Sequence, residues 1–416
     1  MRIPDYNNCL VNLSNSVLKH FGIEPFHETI KEVDKMLEGN DQVIVFLFDG
    51  MGSFLLEKHL DVDNYMRMNV RHKLSSVFPP TTVAATDAFL LAKYPVETGY
   101  LGWTQYFPHH GEPIEVFTNK GSITSNHYPQ PKLRDKYLDE KNIVTLINEQ
   151  SNDTKAYVLF SYPVDKKGPR LLSSFIKKAY KLAHSSPKTF VYAYWPYPDH
   201  TIHEKGVNAK ATKRQIQKIN RLFVRYTTKP VNQSVLTFAI ADHGLIDVKP
   251  IDILKEHPAW EDMMEKPWAI ESRAASFFIK KEFEKQFKNE FNEAYGDKFE
   301  LYTKEQVLKN NIFGLGNPHP MVEVTLGNFL AVAIDKYNIR RPDDHRPFIG
   351  HHAGATDEEY TISLVGVNGT LLEQDKERWR KEDEEKNLNE AKRKLNIDDD
   401  ANKVESLEDN SKQDEN

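Results

Sequence analysis

Three acids each close a run of apolar residues. Asp49 follows "VIVFLF", Asp199 follows "FVYAYWPYP" and Asp242 follows "LTFAIA". A single Asp after a strand is ordinarily a turn former or a helix cap. Three in order, after separate strands, exceed what turn chemistry needs. In open α/β sheets ligands bind beyond the carboxyl ends of the strands, so three such carboxylates can converge on one site. Converged carboxylates repel one another unless cations neutralise them, and a metal is the natural complement. Histidines accompany two of the acids: "DHTIH" sets His203 four residues after Asp199, and "DHG" sets His243 beside Asp242. A further pair, His351 and His352, stands in "IGHHAGATDEEY" before the last core-like run. Mixed His and Asp ligands suit zinc, with manganese or iron as alternatives.

A hydroxyl segment adds a second kind of chemistry. In "SSVFPPTTVAATDAFLLAKYP" two prolines hold the backbone extended before Thr81 and Thr82 open a helical pattern. A threonine there can cap the helix amides. The same geometry also turns amides and helix dipole toward a phosphate. A threonine hydroxyl is a poor nucleophile unless a base or metal lowers its pKa, and a two-metal site would do so.

The elements that must position these residues read as α/β. Near-continuous apolar runs, "QVIVFLF", "AYVLF", "TFVYAYW" and "SVLTFAIA", have the composition of strands covered on both faces. Helical stretches such as "LLSSFIKKAYKLAHS" lie between them, so a central, mostly parallel sheet flanked by helices is expected. Residues 1–372 are read as one catalytic domain, with 108–150 as a loop-rich, polar lid and 246–348 as a smaller appended α+β region. "YTISLVGV" returns to the core, and 373–416 reads as a charged tail, helical or disordered.

Composition removes several classes. The chain has 416 residues and a formal net charge of −6. Residues 373–416 alone carry 16 acids and 10 bases, so the body before them is balanced. No overall field draws it to nucleic acid or an anionic membrane, and neither is expected as a stable partner. Cys9 is the only cysteine, which excludes an internal disulfide and a thiolate zinc cluster. The N-terminus lacks an apolar core of signal-peptide length, and no stretch approaches the ~18 apolar residues of a spanning helix. A cytoplasmic location is the expectation. No sequence feature sets an oligomeric state.

Taken in order, "FDGMG", "FPPTTVAAT", "YPDHTIHEKG", "ADHG" and "HHAGATDEE" resemble the motifs of the alkaline phosphatase superfamily. The resemblance spans roughly residues 40–367 and is closest to the nucleotide pyrophosphatase/phosphodiesterase and phosphonoacetate hydrolase branches. It implies an alkaline phosphatase-like fold and two divalent metal ions. One would be held by Asp199, His203 and a late histidine, the other by Asp49, Asp242, His243 and the oxygen of the nucleophile. The family's late histidine directly precedes a small, glycine-rich pair, which selects His352 over His351. Its nucleophile stands three residues after the proline of an aromatic–proline pair, which selects Thr82 over Thr81. The implied reaction is hydrolysis of a phosphodiester or pyrophosphate, nucleotide-type, through a phosphothreonine, on a small-molecule phosphoester substrate.

One departure is Ala85, where the diesterase branch usually has an asparagine. It bears on substrate more than on reaction type. Aromatics close to the motifs, Trp103, Tyr106, Trp195 and Tyr197, offer a wall against which a planar group could stack. A phosphomonoesterase or phosphonate hydrolase on the same scaffold is the alternative reading, and a non-catalytic binding protein retaining the fold is a distant one. The absence of a basic residue beside "PPTT" favours diesters or phosphonates over monoesters.

Overall fold

The computed structural model describes residues 3–138, 140–150, 153–340 and 348–378, with 380, 381 and 384. The chain divides into Met1–Gly366 and Val367–Asn416. In the second unit residues 369–378 are helical, and most of the charged tail lies outside the described residues.

The apolar runs form a central six-stranded sheet. Its strands in chain order are β1 (Gln42–Phe48), β2 (Val70–Ser75), β3 (Thr154–Phe160), β4 (Lys188–Trp195), β5 (Leu236–Ile240) and β6 (Thr361–Val367), arranged β2-β6-β5-β1-β4-β3. β1 pairs in parallel with β4 and β5, and β3 with β4, while β2 runs antiparallel to β6 at the edge. Parallel pairs require crossovers that cover both faces, hence the unbroken apolar composition. Val43 to Phe48 are all fully buried. Successive side chains take opposite faces. Phe46 packs on Phe175 and Phe223 of the helices Leu172–Ala183 and Lys210–Thr227. Tyr192, paired in register with Val45, stacks on Phe89 of the helix Thr82–Leu91 on the other side. The sheet therefore directs the ends of β1, β4 and β5 to one edge, with the Thr82 helix lying across it.

A second, antiparallel sheet orders Phe299–Thr303, Phe329–Ala333, Ala274–Ile279, Met264–Ile270, Thr104–Gln105, Ile114–Glu115 and Lys120–Gly121. Its own core gathers Trp260, Phe277, Phe287, Phe291 and Phe329, with Phe287, Phe291 and Tyr295 repeating every four residues along one helix face. The last two strands of this sheet come from the segment expected as a loop-rich lid. Among the described residues, no helix is long and apolar enough to cross a membrane.

One buried ion pair ties the second sheet to the loop after His352. Arg273 donates from Nε and Nη2 to the two oxygens of Glu359, each at 2.8 Å, and neither side chain is exposed. Glu359 also accepts from the Gly354 amide at 2.8 Å. Arg273→Met strands a buried carboxylate and is expected to cost about 3–5 kcal/mol of unfolding free energy. Urea denaturation of the two proteins measures it.

Candidate active site

Asp49 is the first residue beyond β1. Its amide donates to Trp195 O at 3.0 Å, and the Asp199 amide donates to Asp49 O at 3.0 Å. The ends of β1 and β4 thus present Asp49 and Asp199 side by side. Gly50 then turns the chain with φ 70°, which brings its amide to Asp242 Oδ1 at 3.0 Å. A Cβ at Gly50 would stand 2.9 Å from Asp199 Cβ, so both the turn and the close approach require glycine. The His243 amide donates to the same Asp242 oxygen at 3.0 Å. Two donors on Oδ1 leave Asp242 Oδ2 buried without a hydrogen-bond partner, and Asp199 Oδ1 is in the same condition.

Thr82 opens its helix against this cluster. Its Oγ1 lies 3.3 Å from His243 Nε2 and 3.5 Å from each carboxylate oxygen of Asp49. Thr81 points elsewhere and donates to Glu271 Oε1 at 2.6 Å. Of the two adjacent threonines, only Thr82 faces the acids.

The histidines are oriented from behind. Nδ1 of His203 meets Gly350 O at 2.8 Å, that of His243 meets Gly244 O at 3.1 Å, and that of His352 meets Pro80 O at 3.2 Å. A carbonyl accepts only from N–H, so Nδ1 carries a proton in each ring and Nε2 faces the carboxylates. His203 Nε2 is 3.2 Å from Asp199 Oδ2, and His352 Nε2 is 3.8 Å from Asp199 Oδ1. His243 Nε2 is 3.5 Å from both Asp49 Oδ1 and Asp242 Oδ2. His351 is engaged with Ser272 Oγ at 2.8 Å and with the backbone of His352.

The donor set fits divalent cations. Asp49, Asp242 and His243 offer ligand atoms within 4.8 Å of one another, and so do Asp199, His243 and His352. His203 reaches the second group through the other oxygen of Asp199. Electrostatics point the same way. Burial, then the charges of Asp242 and Asp199, push the Asp49 carboxyl well above its usual range. Burial raises Asp242 to about 7. Burial also opposes the charged form of His203, but the adjacent Asp199 prevails and raises it to about 9. Bound cations would replace these protons as the neutralising charge.

Two clefts meet at Thr82 and Asp199. One, of about 660 Å³, is lined by Asp49, Thr82, Trp103, Phe117, Lys132, Arg134 and Tyr197 among others. The other, of about 620 Å³, runs past His203 and His352. Trp103 borders both, and Tyr197 borders the first. The other two aromatics expected in a stacking wall are core residues. Tyr106 is 1% exposed, with its hydroxyl on Pro267 O and its ring on Phe278. Trp195 is 6% exposed and packs against Phe175. Trp195 ends a strand buried on both faces, and Tyr106 directly follows the strand Thr104–Gln105.

Several residues escaped the sequence reading. Tyr194 donates its hydroxyl to Asp49 Oδ2. It reads in sequence as one more core aromatic. Glu271 accepts from both Thr81 Oγ1 and the Trp103 amide, at 2.6 and 2.8 Å, and holds the cleft wall beside the threonines. Lys132 and Arg134 come from a segment some fifty residues beyond "PPTT", a distance at which spacing carries no signal.

Asp87, on the Thr82 helix, gives a pH-dependent expectation. Its Oδ2 is buried without a hydrogen-bond partner, and burial, opposed by Arg134, raises its carboxyl to about 7. A folded-state pKa above the unfolded value means the native state binds the extra proton, so stability from this group falls as pH rises from about 4 to about 7. Asp87→Asn carries no such charge. Thermal unfolding is expected to show a larger gain, relative to the unsubstituted protein, at pH 8 than at pH 4.

The profile described as type I phosphodiesterase / nucleotide pyrophosphatase matches residues 43–355. No curated protein matches the chain significantly. Among solved structures, murine ectonucleotide pyrophosphatase / phosphodiesterase 5 superposes with TM-score 0.58 at 15% identity, over 79% of this chain and 88% of that one. An inactive threonine-to-alanine form of the murine protein in complex with AMP gives the same values. The human protein gives 0.56 at 14% identity, with the same coverage.

Proposed function

The chain belongs to the type I phosphodiesterase / nucleotide pyrophosphatase family, and from that premise we propose that it hydrolyses a nucleotide-type phosphodiester or pyrophosphate through a phosphothreonine on Thr82. The observation that carries this reading is the Thr82 hydroxyl, 3.3 Å from His243 Nε2 and 3.5 Å from Asp49, at the junction of two His/Asp groups.

Asp199, His203 and His352 would hold one divalent cation, and Asp49, Asp242 and His243 a second, with zinc, manganese or iron compatible with this donor set. When bound, such ions favour ionisation of a nearby hydroxyl and offset charge on the entering and leaving oxygens. Thr82 Oγ1 gives up its proton to solvent and attacks phosphorus, the Oγ–P bond forms, and the bond to the leaving oxygen breaks. Water then attacks the same phosphorus, the P–Oγ bond breaks, and the threonine recovers its proton. Tyr194 and the carbonyls behind the histidines keep Asp49 and the imidazoles aimed throughout. First-turn amides of the Thr82 helix would face phosphate oxygens, a role that the asparagine replaced by Ala85 plays in the resembling branch. Thr86 does not take that role, since its hydroxyl donates to Thr82 O at 2.6 Å. AMP in the murine relative's structure supports the nucleotide-type assignment.

The test compares a chromogenic phosphodiester with its matching monoester, with zinc or manganese supplied and with a chelator as control. Diester turnover that the chelator removes is expected. Preference for the monoester would replace this reading with a phosphatase, and turnover that survives chelation would overturn it.

A further inference from the structure

The first cleft carries a cation pair that the reaction described above does not use. Lys132 donates to Phe117 O at 2.8 Å, and the Arg134 guanidinium lies over the Phe117 ring, 5.2 Å from its centroid. Phe117 in turn meets Trp103 edge-on at 6.2 Å. Indole, phenyl, guanidinium and ammonium therefore form one wall. Its near end is fixed beside the nucleophile, because Glu271 Oε1 accepts from both Thr81 and the Trp103 amide. All four side chains line the same cleft as Thr82 and Asp49.

Two like charges are held near each other here, with Asp135 paired to Arg134 and Asp87 close by. Among the described residues, the only hydrogen bond of the Arg134 guanidinium is from Nε to Asp135 Oδ1 at 3.3 Å, which leaves both Nη groups to the cleft. Asp87 stands near Arg134 but makes no ion pair with it. Lys132 spends one of its three N–H donors. A forked guanidinium beside an ammonium suits a phosphate, which accepts from both. The cleft volume is that of a site for a small ligand.

We propose that Lys132 and Arg134 form a second anion subsite, which selects nucleotide substrates carrying a phosphate in addition to the one that reacts at Thr82. This rests on the phosphodiesterase reading for the position of the reacting phosphoryl group, and it deepens that reading. The added phosphate sits either in an anhydride with the first or on another position of the nucleoside. Trp103, which borders the same cleft, supplies an aromatic face beside the two anion sites.

Calorimetric binding to the metal-loaded Thr82→Ala protein tests this without turnover, using AMP, ADP and adenosine 3′,5′-bisphosphate. At least one of the two-phosphate ligands is expected to bind about tenfold or more tightly than AMP, the scale of one charge-assisted contact. The tighter of the two identifies where the second phosphate lies. Lys132→Gln and Arg134→Gln, made separately, are each expected to shrink that advantage several-fold, and so is added salt. Equal binding of all three ligands would overturn the proposal, as would an advantage unchanged in both variants. Lack of diester turnover by the unsubstituted enzyme would overturn the function proposed above, and this binding comparison would still read out the subsite.

Discussion

Thr82→Ala is expected to lower kcat/KM for a chromogenic diester by roughly 10⁴-fold or more, the scale seen when a nucleophile is removed from a preorganised site. The substitution deletes the hydroxyl that lies against both Asp49 and His243 and leaves the six Asp and His metal ligands in place. Metal content should therefore be unchanged, which separates loss of the nucleophile from loss of the site. Thr82→Ser restores a hydroxyl on a side chain with one methyl fewer to fix its rotamer, and should retain activity within about 100-fold. Thr81→Ala is the contrasting control. Thr81 is bonded to Glu271 at 2.6 Å and faces away from the acids, so its loss should cost far less. Steady-state kinetics of the three variants, with metal content determined on each preparation, check this ordering.

Removal of metal is expected to have the second large effect, on both activity and stability. Three buried carboxylates meet at the site, and burial together with mutual repulsion raises Asp49 and Asp242. A cation that binds only the folded state stabilises it by about 4 kcal/mol when free at a thousand times its dissociation constant. Two such ions in a domain of this size correspond to a melting temperature higher by the order of 10 °C. Chelation should lower the melting temperature by that amount and abolish turnover, and added zinc or manganese should restore both. Asp199→Ala should reproduce part of the thermal loss, because both His203 and His352 address its carboxylate. An unchanged melting curve after complete metal removal would count against a structural role for the ions. Scanning calorimetry with and without chelator decides it.

The strand-end acids were legible because their signal is local. A run of buried strand residues ends, an acid follows, and the sheet brings the ends of β1, β4 and β5 together whatever the intervening sequence. The i, i+4 spacing of Asp199 and His203 was readable for the same reason, since the helix Asp199–Lys205 sets both on one face. Adjacent like residues were not separable in this way. Thr81 and Thr82 differ only in which way the first helical turn points them, and His351 and His352 only in how a short loop threads between two sheets. Their choice came from family resemblance, and their placement comes from the structure.

Aromatic residues were the least legible. Trp103, Tyr106, Trp195 and Tyr197 are equally near the motifs, yet two border the clefts and two fill the core. Large aromatics serve either purpose, and only packing separates them. Lys132 and Arg134 were missed for a different reason. The expectation that no base stands near the threonines holds along the chain and fails in space. The strands Ile114–Glu115 and Lys120–Gly121 attach that segment to the second sheet and carry it to the cleft. Tyr194 illustrates a third case, a polar tip on an otherwise buried strand residue, which reads as core until its partner is known.

The proposed reaction turns on a covalent bond between phosphorus and Thr82. Acid quenching of the metal-loaded enzyme during turnover of a diester, followed by peptide mapping by mass spectrometry, addresses it directly. A phosphoryl-linked adduct on the peptide containing Thr82, absent without substrate and absent in Thr82→Ala, is the predicted result. Sustained turnover with no adduct, together with inversion at a chiral phosphorus centre, would show direct attack by water and contradict the account.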